Sequence, residues 1–204
     1  MSTSWRGRKE PTAGELLLVN WVLVLLRGIP VAIVVFGGLI LHTVLRIFEY
    51  PFLGSRRPLT QYVTQVVCKT SLFLLGISIT VEGFPMKERG AVVANHSSWL
   101  DIFALNATQK IYFVAKSEVA NWPGIGWLAR ATGTVFIQRK ALQAHKQKNI
   151  FTDRLLAGHK LLFFPEGTST DSLRVLPFKS SLFAAFFETN VPGNLFIQPV
   201  TVTY

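Results

Sequence analysis

One cysteine, Cys68, stands in 204 residues, which excludes an intramolecular disulfide framework and any cysteine-rich zinc or iron–sulfur site. Charge is also scarce: 16% of residues are charged while 50% are apolar, which excludes a disordered chain and points to partial contact with lipid. Acidic side chains are outnumbered, with 11 Asp and Glu against 21 Lys and Arg for a net charge of +10. That balance favours a polyanionic neighbour: nucleic acid, an anionic membrane or a phosphorylated substrate. The sequence has no Gly-x-Ser-x-Gly elbow, which disfavours a serine hydrolase of that type. His42, His145 and His159 lack zincin-type spacing to acidic partners, so no metal site is expected and all three read as surface or interface residues. Repeats, low-complexity tracts and nucleic-acid motifs are missing, and Lys and Arg are dispersed rather than striped, so no nucleic-acid partner is expected. At roughly 100–200 residues per domain the length fits one globular unit.

What is present begins with a membrane segment. Between Arg27 and Arg46 no residue from Gly28 to Leu45 carries a formal charge. At about 1.5 Å per residue such a helix covers roughly 27 Å of a hydrocarbon core near 30 Å. The apolar region starts earlier, at Leu16, and is interrupted by Arg27 and Pro30, a pattern open to a kinked helix or a re-entrant hairpin. No small-x-small cleavage site follows Leu26, so the segment reads as an uncleaved anchor. Basic residues flank it on both sides (Arg6, Arg8 and Lys9; Arg46, Arg56 and Arg57), so their count does not orient it. A second apolar stretch, Val63 to Val81, holds Lys69 and several hydroxyl residues, which suits an interfacial or domain-packed helix. Cys68, inside it, reads as a small buried hydrophobe rather than a nucleophile.

From Glu82 onward short β-branched or aromatic runs alternate with helical stretches, the signature of an α/β domain. The expected organisation is therefore residues 1–81 as membrane-anchoring helices and linker and residues 82–204 as the catalytic domain. Strands are expected at Ala91–Ala94, Ile111–Ala115, Val135–Ile137, Leu161–Phe164 and Leu195–Val202. Helices are expected at Ser98–Ala107, Ile125–Ala131, Ala141–Leu156 and Lys179–Thr189. The chain stops on an apparent strand, from which a C-terminally incomplete domain is expected.

Three polar constellations follow apolar strands. In Asn95-His96-Ser97-Ser98-Trp99-Leu100-Asp101, His96 offers an imidazole that can take a proton and Asp101 can reach back to orient it. The same residues also fit a helix cap, Ser98-x-x-Asp101, with His96 as a turn residue. In Phe163-Phe164-Pro165-Glu166-Gly167-Thr168-Ser169 a carboxylate sits at a strand end beside a glycine that lets backbone approach a ligand, or the run is simply a turn. Gly133 to Lys140 delivers Arg139 and Lys140 at a strand end, suited to phosphate or to a solvated basic loop.

Taken in order, His-x-x-x-x-Asp, Gly-x-x-Phe-x-x-Arg, Phe-Pro-Glu-Gly-Thr and an apolar strand ending in Pro199 make residues 91–200 resemble the glycerolipid acyltransferases. The resemblance implies that family's α/β sheet flanked by helices, here behind an N-terminal membrane-anchoring helical segment. It implies that His96 is the general base for the hydroxyl of 1-acyl-sn-glycerol-3-phosphate and that Asp101 orients it. The donor would be an acyl-CoA or acyl-carrier-protein thioester, a co-substrate, with no other cofactor. Backbone N–H groups at the helix start after His96 are candidates for the oxyanion. Lys116, Arg139, Glu166, Gly167 and Thr168 fall on acceptor-binding positions: Arg139 towards phosphate, Glu166 towards the glycerol or a neighbouring cation, Lys116 as a second cation. Pro199 falls on a structural position near the donor. Two departures bear on the head group: Gln138 replaces a common acidic residue and Ser169 stands where many members have Arg. Related enzymes acylate lyso-ornithine lipid, which lacks the glycerol phosphate, and this is the alternative acceptor. A non-enzymatic, basic, membrane-anchored lipid-binding protein is the competing class. The substrates imply attachment to a bacterial inner membrane with the catalytic domain on the cytoplasmic face.

Overall fold

The computed structural model describes residues 18–138, 144–171, 173, 175–187 and 191–204. Two helices lead, α1 (Leu18–Leu53) and α2 (Pro58–Leu75). The first has 36 residues, about 54 Å at the usual rise, and its stretch Asn20–Leu53 is long and apolar enough to cross a membrane, with almost none of it buried. Trp21, Leu25, Ile33, Ile40 and Phe48 are exposed along it. The re-entrant hairpin that Arg27 and Pro30 left open does not form: α1 continues through both, and past Arg46, to Leu53. Both cations have local employment. Arg27 donates to the carbonyl of Leu75 at 3.0 Å, a positive charge at the C-terminus of α2. Arg46 donates to Arg56 O at 3.0 Å and lies 3.4 Å from the Glu49 carboxylate.

Glu49 fixes the reversal from α1 into α2. Its buried carboxylate accepts from Leu59 N and from Thr60 Oγ1, each at 2.8 Å, which satisfies donors that a helix start leaves open. Farther along, α2 packs on the helix at Leu100–Thr108 through Cys68, Leu72 and Ala107, with Leu100 and Phe103 beside them. Cys68 is thus the buried hydrophobe expected, and burial pushes its thiol up to about 12. Arg57, just before α2, reaches across to Ala131 O at 2.6 Å, and Arg154 donates to Gly133 O, so two arginines distant in sequence hold the C-terminal end of the helix at Ile125–Thr132. Burial and the neighbouring Arg154 lower Arg57 to about 10, which leaves it charged at neutral pH.

Among the described residues five strands form one parallel sheet: β1 (Gly90–Ala94), β2 (Tyr112–Lys116), β3 (Val135–Ile137), β4 (Lys160–Phe163) and β5 (Phe196–Val200), in the order β3-β2-β4-β1-β5. Between them lie α3 (Leu100–Thr108), α4 (Ile125–Thr132), α5 (Ala144–Leu156) and α6 (Ser180–Phe187), with a short 3-10 turn at Ser117–Asn121 that the sequence reading missed. The expected strands agree to within one or two residues at each end. Residues 141–143 and 188–189 of the expected helices lie outside the described residues.

Strand alternation sorts the core. Ala91, Leu161 and Phe163 face α5 and α6, packing with Phe151, Leu155 and Phe186. Val92, Ala94 and Leu162 face Leu105 of α3. Both faces of the central strands are therefore covered, as parallel sheets require. A Cβ at Gly90 would lie 2.0 Å from the carbonyl oxygen of Phe196, so only glycine permits β5 to approach β1 there. Pro199 lies opposite Val93 on the edge strand β5, the kind of strand that tolerates proline in a sheet.

This topology opens a crevice. After β1 the chain leaves towards α3 on one face; after the adjacent β4 it leaves towards α6 on the other. Loops diverging from neighbouring parallel strands mark the switch point at which α/β sheets bind ligands, outside the carboxyl ends. The residues after β1 are Asn95 to Ser98, and those after β4 are Phe164 to Gly167.

Candidate active site

His96 and Asp101 meet. Asp101 occupies the first turn of α3, and its Oδ2 lies 2.7 Å from His96 Nδ1. The carboxylate is fully buried, whereas the His96 side chain is 21% exposed. The Phe164 ring, from the neighbouring β4 loop, stacks on the imidazole with centroids 4.1 Å apart and planes 16° from parallel. One ring nitrogen is thus held by a carboxylate and one face by an aromatic ring, while Nε2 remains for chemistry.

Three more donors converge on Asp101. Ser97 N (2.7 Å) and Ser98 N (3.1 Å) donate to Oδ2, and the Tyr204 hydroxyl donates to Oδ1 at 2.7 Å. Burial pushes this carboxyl upward, but the hydrogen bonds from His96, Tyr204, Ser98 and Ser97 outweigh it and hold the group below the ordinary aspartate range. An ionised Asp101 only accepts, so Nδ1 of His96 carries the ring proton and Nε2 holds a lone pair. Capping and imidazole orientation, alternatives on sequence grounds, are two tasks of one oxygen atom.

This arrangement corrects one expectation. Five of the backbone N–H groups after His96 are not open for an oxyanion: Ser97 and Ser98 are committed to Asp101, Leu100 N donates to Ser98 Oγ (3.2 Å), and Asp101 N and Ile102 N close turns onto Ser98 O and Trp99 O. Amides that position the carboxylate cannot also face the substrate.

The second constellation is tied to the first. Thr170 N donates to the carbonyl of His96 at 2.8 Å, and Gly167 N closes a turn onto Phe164 O at 3.0 Å with Gly167 at φ +69°, a left-handed position that suits glycine. Glu166 points inward: it is buried, and its Oε2 accepts from Leu176 N at 2.9 Å, closing the loop that follows β4. Its visible task is to shape that loop. Thr168 is half-buried beside it. Lys116 is exposed at the carboxyl end of β2, opposite Ile137 of β3. Arg139 lies outside the described residues. His96 and Asp101 are therefore joined directly, Thr170 ties the loop that holds Glu166 and Gly167 to the carbonyl of His96, and Lys116 lies on the same edge of the sheet one strand beyond β4.

Two histidines differ from their sequence reading. His159 is buried, not a surface group; it stacks on Tyr112 with centroids 4.0 Å apart and lies 3.4 Å from Arg154 Nη1. Burial, then Arg154 and Arg57, lower it to about 3, so a neutral ring avoids the cost of burying charge. His42 is likewise buried, where α1 meets Arg57 and Asn106. The side chain of His145 lies outside the described part of the chain. An open groove of about 460 Å³, lined in part by Met86, Lys87, Lys110, His159 and Lys160, lies at the amino ends of the strands, the edge opposite His96.

Sequence reasoning missed the roles of Phe164, Asn95 and Tyr204. Phe164 was legible as the residue between an apolar strand and Pro-Glu-Gly. Tyr204 had no local signal, because only the pairing of β5 with β1 carries it to Asp101.

A parallel sheet with a His–Asp pair at its switch point defines an α/β scaffold with a polar site at its carboxyl edge, and the comparisons give its family. The Acyltransferase family model matches residues 78–203, more than half of the chain. The chain belongs to the acyltransferase family. It is 52% identical over 200 residues to the lyso-ornithine lipid O-acyltransferase of Rhodobacter capsulatus, covering 98% of this chain and 72% of that protein. It is 37% identical over 194 residues to the lyso-ornithine lipid O-acyltransferase of Rhizobium meliloti, covering 92% of this chain and 63% of that one. The 1-acyl-sn-glycerol-3-phosphate acyltransferase of Neisseria gonorrhoeae is 40% identical over 119 residues, 56% of this chain and 46% of its own. The crystal structure of the 1-acyl-sn-glycerophosphate acyltransferase PlsC from Thermotoga maritima has the same fold, with a TM-score of 0.61 at 22% identity, over 90% of this chain and 83% of that one.

Proposed function

We propose that this protein transfers a fatty acyl group from a thioester, acyl-CoA or acyl-carrier protein, to the free hydroxyl of lyso-ornithine lipid. The observation that carries the chemistry is the 2.7 Å contact between buried Asp101 and His96 Nδ1, which leaves Nε2 as a base. Nε2 takes the hydroxyl proton as the alcohol oxygen attacks the thioester carbonyl. Collapse of the tetrahedral intermediate breaks the C–S bond, and the proton passes from His96 to the departing thiolate. No acyl-enzyme is needed. Asp101 stabilises the imidazolium between these two transfers.

The head group rests on likeness. The relatives named for lyso-ornithine lipid cover nearly the whole chain, and Ser169 stands where the resemblance gives many glycerolipid enzymes an Arg. This reverses the order expected from motifs alone. The second reading, 1-acyl-sn-glycerol-3-phosphate as acceptor, is supported by the Neisseria relative and by the cations Lys116 and Arg139. Offering both acceptors in parallel to purified protein, each with both thioesters, separates the two. Lyso-ornithine lipid is expected to be used with at least about tenfold higher kcat/KM. A preference for the glycerol phosphate acceptor favours the second reading, and transfer to neither overturns both.

The same substrates favour a location. The donor is water-soluble and the acceptor lies in the bilayer, so the sheet domain belongs on the cytoplasmic face of the inner membrane, held by α1. In sealed inside-out vesicles, added protease is expected to digest the domain; protection would place it on the other side.

A further inference from the structure

We infer that Tyr204 is a positioning residue for the His96–Asp101 pair, carried to it by a side-chain clasp between Asn95 and Val202. The inference rests on the general-base reading of His96 and deepens it.

The backbone ladder between β1 and β5 ends at Ala94 opposite Val200. Beyond it, Asn95 replaces the ladder with its side chain. Its Nδ2 donates to Val202 O at 2.9 Å and its Oδ1 accepts from Val202 N at 2.8 Å. A primary amide presents a donor and an acceptor side by side, so it can pair with one residue's N–H and C=O together. The residue immediately before the proposed base therefore holds the segment after β5 beside the base.

Two residues later, Tyr204 donates to Asp101 Oδ1. The two carboxylate oxygens are unequally served. Oδ2 holds His96 Nδ1 and the amides of Ser97 and Ser98, whereas the described donor to Oδ1 is Tyr204. Asp101 has no solvent exposure, so water cannot take the place of that hydroxyl without rearrangement. A carboxylate anchored at both oxygens cannot rotate about its Cβ–Cγ bond; anchored at one, it can swing and carry Nδ1 with it. The Tyr204 ring itself is 65% exposed, so its hydroxyl rather than its packing is the contribution at stake.

Tyr204→Phe removes only that oxygen. Expected is a fall in kcat of roughly 10- to 100-fold, the factor typical of one hydrogen bond to a charged group. KM for acceptor and for thioester should stay within about twofold, and so should the recovery of folded protein, with the melting temperature lowered by no more than the few degrees that one lost hydrogen bond costs. In an Asp101→Ala background the same change should cost less than about twofold, because no carboxylate remains to be held. Asn95→Ser, which opens the clasp from the other side, should lower kcat with the same preserved KM. A Tyr204→Phe protein with kcat within twofold of the parent overturns the inference, as does a loss that multiplies fully with Asp101→Ala or one confined to KM. If Tyr204→Phe melts early, Asn95→Ser decides: full kcat in that variant is equally fatal. His96→Ala, assayed alongside, separates the layers. Transfer surviving in it sinks the base reading and this inference together, whereas an inactive His96→Ala beside an unaffected Tyr204→Phe sinks this inference alone.

Discussion

His96→Ala is expected to lower acyl transfer by at least about 10³-fold, within the range a positioned general base supplies, while the protein stays folded and in the membrane fraction. Three features make the loss local. The imidazole is partly exposed at a loop and closes no part of either sheet core. Asp101 keeps the amides of Ser97 and Ser98 and the Tyr204 hydroxyl when the ring is gone, so no buried carboxylate is stranded. The helix proposed to hold the membrane, α1, is long and apolar enough to cross it and is far from the loop in sequence. Radiolabelled acyl transfer in detergent, together with fractionation and a melting curve, reads all three. A variant that keeps more than a tenth of the parent activity would show that another group takes the proton. Loss of membrane recovery would show that the loop has a structural duty that its hydrogen bonds do not reveal.

The sequence revealed most where structure is local. Val135–Ile137 was placed to the residue, because a β-branched run between Gly-Thr and Gln-Arg has few alternatives. His96 and Asp101 lie five residues apart on one strand-to-helix turn, so their spacing alone brought them within reach. Legibility failed where a contact depends on distant pairing or on competition for one group. Arg46 looked like the end of the apolar helix; in the structure it serves Glu49 and the carbonyl of Arg56, and α1 runs on to Leu53. The amides after His96 looked like an oxyanion site, yet the buried carboxylate claims two of them. Glu166, expected at an acceptor-binding position, also binds an amide ten residues ahead in its own loop, a contact no spacing announces. A motif states which groups are present, whereas hydrogen-bond accounting decides which of them remain for a substrate.

Asp101 should show the second large effect, and here two substitutions and a pH axis give different answers. Asp101→Ala strands four donors that converge on one buried carboxylate, His96 Nδ1, Ser97 N, Ser98 N and Tyr204 Oη. Each unsatisfied buried partner costs about 1–3 kcal/mol, and catalysis should fall roughly 10³- to 10⁴-fold, the loss typical when the orienting acid of such a pair is removed. Asp101→Asn is milder for the fold. Its oxygen can keep the three Oδ2 donors while its NH₂ donates to the Tyr204 oxygen, since a phenol can accept as well as donate. It still lacks the negative charge that stabilises the imidazolium and that the fold itself favours, so kcat should fall and the melting temperature at neutral pH should drop, by less than in Asp101→Ala. Acid conditions distinguish the charged from the neutral side chain. Because folding lowers the Asp101 pKa, the carboxylate's stabilising share is fully present above the unfolded aspartate range, roughly pH 4. It is lost as pH falls from there through the still lower folded value. The stability difference between parent and Asp101→Asn should therefore shrink as pH is lowered below about 4. A difference that holds constant or widens on acidification would mean that Asp101 is not the depressed, four-donor carboxylate described, and the orientation of His96 would need another source.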